Sequence, residues 1–326
     1  MTDNMTETPF ADMRPTTETQ EVTITQNLSN QTNVHITNRT TTNTDTIPNL
    51  RPGRNHNRKT DTIDVHSSYG DSHLEKDDKD IRIFFQNVKG LTYSFTGEDY
   101  DYYMTSTQAI GADIIGMAET NTAWQHHHLR TLFSSRAGKH FGTAKVSFGF
   151  PTEAIDAVPE KETFQSGGSI TMSTRTLVPM SHGEHILDPT GLGRWCGHTL
   201  RGKANTFLSI ITAYRVCTGS ISTSPVGSAF NREYEHLRRS QNLTAPRPRK
   251  IMITDLISAI IHLQQSGHSI ILMLDSNAQI TGDLDLQRLQ RNCDLHDLHE
   301  KHPAPSTYIG SEARRIDHMF GCSQFL

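Results

Sequence analysis

The chain has 326 residues, 34% hydrophobic and 20% charged, which is room for one large domain or two ordinary ones with a buried core. Its 31 Lys plus Arg against 35 Asp plus Glu give a formal charge of -4, which excludes a polycation that coats nucleic acid along its length, so any such contact has to be local. Four widely spaced cysteines (Cys196, Cys217, Cys293, Cys322), no secretory start and no apolar run near the roughly 18 residues of a membrane span lead us to expect an intracellular chain, nuclear or cytoplasmic, with reduced thiols and no membrane partner.

Residues 1–70 hold 17 Thr and 9 Asn but only 15 residues of the apolar set, too few to offset backbone entropy by burial. Residues 1–75 are therefore expected to be a disordered tail, with a domain over 80–326. Arg51, Arg54, Arg58 and Lys59 form an acid-free basic stretch in that tail, read as a solvated charge run before a nuclear signal or a phosphate contact.

From about residue 80 short apolar runs alternate with helical stretches. Ile81-Arg-Ile-Phe-Phe-Gln-Asn-Val and Asp113-Ile-Ile-Gly-Met-Ala-Glu read as buried strands with a helix between them. His126-His-His128 tempts a zinc assignment, but consecutive residues on a helix fan out over most of its circumference, so a polar helix surface is the reading. Further strands are expected at Gly168–Met172, Arg194–Leu200, Thr206–Tyr214 and Ser269–Asp275. Gly191-Leu-Gly-Arg-Trp has the spacing of neither dinucleotide nor Walker loops, so no small organic cofactor is expected and Arg194 is at most a phosphate contact. Between Pro248 and Gly267, the residues Ile253, Leu256, Ile257, Ile260 and Ile261 share one helical face.

Several of these strands end on polar side chains: Asn87, Glu119, Tyr214, and Asp275 with Asn277. Rigid strand ends are where mixed α/β proteins place ligands, and an all-oxygen donor set suits a hard divalent cation better than zinc. Such a set serves phosphate chemistry: a held metal offsets developing phosphoryl charge, a carboxylate activates water, and Asn and Tyr donate hydrogen bonds. Arg215 and the Arg247, Arg249 and Lys250 group supply candidate positive charge for a nucleic-acid backbone, with ordinary surface charge as the alternative. His296, His299 and His302 are read as solvated.

Gln86-Asn-Val-Lys-Gly-Leu, Ala112-Asp-Ile-Ile-Gly-Met-Ala-Glu-Thr, Thr212-Ala-Tyr-Arg, Ile270-Ile-Leu-Met-Leu-Asp-Ser-Asn-Ala and Arg315-Ile-Asp-His-Met-Phe resemble, in order, the motifs of the endonuclease/exonuclease/phosphatase superfamily. The nearest likeness is to apurinic-type endonuclease domains of non-long-terminal-repeat retrotransposons, and it covers residues 80–326. The resemblance implies a four-layered α/β sandwich, two mixed sheets flanked by helices, and Mg2+- or Mn2+-dependent phosphodiester hydrolysis with DNA as partner. Carried over by position, Glu119 and Asn87 would hold the metal, and Asp275 would position or deprotonate water. Asn277 would orient Asp275 and the phosphate, Tyr214 would stabilise the transition state, Asp317 would orient a histidine, and Arg215 would contact substrate.

The sequence departs from that pattern twice. Lys89 stands where the family commonly carries Asp or Asn near the metal, so an ammonium competes with the cation unless it turns to phosphate. The Ser-Asp-His motif expected after Arg315-Ile-Asp does not appear, so the domain is expected to be incomplete at its C-terminus. His318 does not replace the missing histidine, because strand neighbours point to opposite faces. Three functions stay open: a retroelement-derived DNA endonuclease, an inactive remnant that at most binds nucleic acid, and a phosphatase of small phosphoesters.

Overall fold

The computed structural model describes residues 34–38, 76, 80–91, 98–152, 162–224, 227–300, 306–309 and 313–325. In chain order the strands and helices are β1 (Val34–Asn38), β2 (Ile81–Asn87), α1 (Glu98–Ala109), β3 (Ile114–Ala118), α2 (His127–Phe141), β4 (Ala144–Gly149), β5 (Ser169–Thr174), β6 (Ser181–Leu187), β7 (Trp195–Arg201), β8 (Phe207–Tyr214), α3 (Ala229–Ser240), α4 (Pro248–Gln265), β9 (His268–Asp275), α5 (Leu284–Cys293), β10 (Leu295–Asp297), β11 (Tyr308–Ile309), β12 (Ala313–Arg314) and β13 (Asp317–Cys322).

They form two mixed sheets and a small β11–β12 ladder. The first sheet runs β1-β2-β3-β5-β4, with β1, β2 and β3 parallel and the β3–β5 and β5–β4 pairs antiparallel. The second runs β10-β13-β9-β8-β7-β6, with β8 and β9 parallel and the other pairs antiparallel. The parallel β8–β9 pair requires a crossover, and α3 with α4 supplies it.

Three buried clusters define four layers. Strand side chains alternate between faces, so β2 sends Phe84 outward to Tyr100, Met104 and Phe133 of α1 and α2, and sends Ile83 and Phe85 inward. The inner face meets Ile210, Ile271 and Met273 of the second sheet. That sheet's outer face, through Ile211, Leu272 and Leu274, packs on Met252, Ile253, Leu256 and Ile260 of α4 and on Leu286 and Leu289 of α5. Each such fully buried side chain contributes about 1.5–3 kcal/mol. The result is a four-layered α/β sandwich.

The sheets approach closely at Gly116, where a Cβ would lie 2.6 Å from Met273 Sδ and 2.9 Å from Thr212 Oγ1. Toward β5 and β7 the inter-sheet contact turns polar. Thr171 bonds Thr212 at 2.7 Å, and the buried His198 ring lies between Ser147 and Ser173, at 3.2 and 2.6 Å. Burial, then the charges of His185 and Lys145, push His198 down to about 3.

Inside the segment read as a tail, Val34–Asn38 forms the edge strand beside β2; the rest of that expectation, including Arg51, Arg54, Arg58 and Lys59, lies outside the described residues. His296, read as part of a solvated polar segment, lies in β10, which pairs with β13 because Leu295 and Asp297 are buried there. β13 therefore has a neighbour on each side, β10 and β9. Among the described residues no helix is long and apolar enough to cross a membrane.

Candidate active site

The C-terminal ends of β2, β3, β8 and β9 and the start of β13 meet at one end of the sandwich. Register sets the arrangement: Tyr214 and Asp317 both lie opposite Asp275, on its two neighbouring strands. In the facing first sheet, Asn87 is paired with Ala118, directly before Glu119.

Asn87 joins the sheets. Its Nδ2 donates to Glu119 Oε2 and to Asp275 Oδ2, both at 2.7 Å, while its Oδ1 accepts the Lys89 backbone N–H at 2.8 Å. Asp275 also accepts the Asn277 amide at 3.2 Å, and Asn277 Nδ2 donates to the Arg215 carbonyl at 2.7 Å. The structure thus brings Asn87, Glu119, Asp275 and Asn277 into one hydrogen-bonded set, with Tyr214 and Asp317 beside it.

The backbone here is held in an uncommon conformation. Lys89, Glu119, Asn121 and Asn277 have φ of 49, 54, 51 and 50°, a region that costs a residue with a Cβ about 1–2 kcal/mol. Asn tolerates it; Glu and Lys are kept there by surrounding bonds, including Gly90 N–H to Glu119 O at 2.7 Å and Thr120 N–H to Gly168 O at 3.2 Å.

Carboxylates dominate the local field. Asp275 is fully buried and held well above the usual carboxylate range by desolvation, then by the charges of Asp317 and Glu119. Asp317 is raised as well, by burial first and by Glu119, offset partly by a Thr307 hydrogen bond and the Lys89 ammonium. Among the described residues its Oδ1 is buried without a hydrogen-bond partner. Tyr214 is pushed far up by burial and then by Glu119, Cys217 and Asp275, so its hydroxyl stays protonated.

Among the described residues no three His, Cys, Asp or Glu side chains converge tightly enough to hold a metal together. The site fits instead an ion bound through one or two carboxylates and completed by water, as magnesium prefers. A buried acceptor without a donor, Asp317 Oδ1, beside two like-charged groups, is the environment a divalent cation would relieve.

Two arginines read as phosphate contacts do something else. Arg215 is 2% exposed, pointing to the opposite face from Tyr214, and its Nη1 bonds Asp283 Oδ2 at 2.6 Å. Arg194, also 2% exposed, is bonded to Asp188 at 2.7 Å and to Asp255 at 2.8 Å. Both are corrected to internal ion pairs, since each guanidinium is enclosed with its counter-ion away from the surface a substrate would meet. His318 is buried, bonded to the Ala278 carbonyl at 3.0 Å and stacked on Phe320, away from Asp317 as strand alternation requires. The histidine that the resemblance sets beside Asp317 is therefore not supplied by its chain neighbour.

Cys217, read from the sequence only as one of four reduced thiols, is an exposed thiol at the site that donates to Asn277 Oδ1 at 3.3 Å beside Tyr214. A position three residues beyond a candidate phenol was the only signal for it.

No family model matches the sequence, and no curated protein matches it. Solved structures similar to it include the human Nocturnin catalytic domain with bound sulfate (TM-score 0.44, 13% identity, covering 69% of this chain and 75% of that one). D. rerio TDP2 complexed with single-strand DNA product is similar at TM-score 0.45 and 12% identity, over 74% of this chain and 84% of that one. An endonuclease/exonuclease/phosphatase family protein from Leptotrichia buccalis C-1013-b is similar at TM-score 0.45 and 12% identity, over 73% and 86%.

Proposed function

We propose that the chain is a divalent-metal-dependent phosphodiester hydrolase of the endonuclease/exonuclease/phosphatase kind, acting on DNA as a retroelement-derived endonuclease. The observation that carries this reading is Asn87, whose amide ties Glu119 of one sheet to Asp275 of the other at 2.7 Å each, with Asp317 in register beside Asp275.

Glu119, with the Asn87 side-chain Oδ1, would hold Mg2+ or Mn2+. When bound, that ion supplies positive charge to a non-bridging phosphate oxygen. Asp275 would position the attacking water and take its proton as general base. Asn277 fixes the Asp275 carboxylate through its amide N–H. Tyr214, kept protonated by its surroundings, donates a hydrogen bond to the charge growing on phosphorus oxygens. Asp317 sits behind Asp275 and raises its basicity, a role that needs no histidine.

The test compares bis(p-nitrophenyl) phosphate with p-nitrophenyl phosphate in Mg2+, Mn2+ and chelator. The proposal expects metal-dependent cleavage of the diester, absent in Asp275→Asn. Cleavage of the monoester alone supports the small-phosphoester reading instead, and cleavage of neither supports the inert remnant.

A further inference from the structure

Arg249 lies in the first turn of α4, where a cation is disfavoured by the helix dipole and where no acidic residue of that turn offsets it. Something other than helix stability accounts for it there. Its guanidinium reaches over both loops that follow the central strands of the second sheet. One terminal nitrogen donates to the carbonyl of Val216, two residues beyond Tyr214. The other donates to the carbonyls of Ser276 and Asn277, each at 3.3 Å, directly after Asp275.

The clamp is itself braced. The Arg249 carbonyl accepts Arg215 Nε at 3.2 Å, and Asp283 holds both cations, 2.6 Å from Arg215 and 3.6 Å from Arg249. Asp283 also caps α5 by accepting the Asp285 and Leu286 amides at 3.0 and 3.1 Å. Between the two loops, Arg215 N–H donates to Asp275 O at 2.9 Å and Asn277 Nδ2 to Arg215 O at 2.7 Å. A planar fork with donors at both ends bridges separate carbonyls; a point-charge ammonium cannot reach all three.

We propose that Arg249 is a positioning residue, which fastens the loop after β8 to the loop after β9 just beyond the register pair Tyr214–Asp275. It holds Asn277 in its left-handed conformation at φ 50°, so that the Asn277 amide meets the Asp275 carboxylate. Arg249 is thereby removed from the set of phosphate contacts. This assignment rests on the hydrolase reading of the same site.

The test uses the full chain with Arg249→Met and Arg249→Lys, measured by diester hydrolysis and by amide hydrogen exchange over residues 215–217 and 276–278. Misplacement by a fraction of an ångström predicts that Arg249→Met lowers kcat about 10- to 100-fold with KM moved less than about threefold. Arg249→Lys should recover part of kcat, and exchange in both loops should quicken at least about tenfold in Arg249→Met, less in Arg249→Lys. A rise in KM at unchanged kcat would overturn the assignment in favour of a phosphate contact. A lower melting temperature with unchanged kcat would overturn it in favour of plain stability, and unchanged exchange would overturn it outright. Exchange needs no turnover, so a wild-type chain that hydrolyses nothing refutes the hydrolase reading while the exchange data still decide the clamp.

Discussion

Changing Asn87 to Asp tests the carboxylate cluster at its centre. The native amide gives one hydrogen bond to Glu119 and one to Asp275, both at 2.7 Å. Asn87→Asp removes both donors and sets a third carboxylate against two others. A hydrogen bond to a charged group contributes about 1.5–3 kcal/mol, and because Asn87 is only half-buried the lower end applies, so the pair is about 3 kcal/mol before repulsion is added. For a domain of this size that lowers Tm by about 6–12 °C. Asn87→Ala loses the same donors without adding charge and should fall less. Thermal denaturation in chelator should rank wild type above Asn87→Ala above Asn87→Asp. Millimolar Mg2+ should narrow the deficit of Asn87→Asp more than that of Asn87→Ala, and acidification should also narrow it as one carboxyl of the cluster takes a proton, since burial and like charge already hold Asp275 well above the usual carboxylate range. An Asn87→Asp variant that melts within about 2 °C of wild type without metal, or whose deficit ignores both Mg2+ and pH, would refute the reasoning.

Three further outcomes follow from other residues. Folded His198 titrates near 3 while the unfolded chain takes up that proton near the usual 6.5, so its contribution is complete above 6.5 and is lost as pH falls through that window, by about 1.4 kcal/mol per pH unit. Urea denaturation from pH 7.5 to 5.0 should show a shallower loss in His198→Gln, and parallel profiles would contradict the buried neutral imidazole. Asp283→Ala removes the α5 cap and leaves Arg215 and Arg249 short of a counter-ion, an expected loss of about 3–5 kcal/mol by denaturant titration, with Asp283→Asn intermediate because it keeps the cap; a change under about 0.5 kcal/mol would be incompatible with this ion pair. Gly193→Ala sets a Cβ 2.0 Å from the Phe150 carbonyl carbon at a φ of +69° and should cost at least about 2 kcal/mol, so an unchanged melting curve would show that this loop is not held as described.

The layers were legible because burial on both faces gives strands such as Ile270–Asp275 their unbroken apolar runs, and because α4 carries its core residues at helical spacing. That Asn87, Glu119, Asp275 and Asn277 gather at one place was legible too, since Glu119 and Asp275 follow apolar runs directly and Asn87 and Asn277 lie within two residues of such a strand end. The arginines were not. Arg215 adjoins Tyr214 in sequence, yet alternation turns it to the helix layer, and charge alone says nothing of a partner 68 residues away at Asp283. Arg249 reads as one of three basic residues in a row of four, and only the fold reveals which carbonyls it meets. β10 was missed because three residues carry too short a pattern to separate a strand from a polar loop.

Nicking of supercoiled plasmid by the full chain, in Mg2+ or Mn2+ against chelator and in wild type against Asp275→Asn, tests the central claim most directly. The account predicts open-circular product that requires the metal and falls at least about a hundredfold in the variant. Nicking that persists in chelator or in Asp275→Asn, or none from folded wild type in either metal, would contradict it.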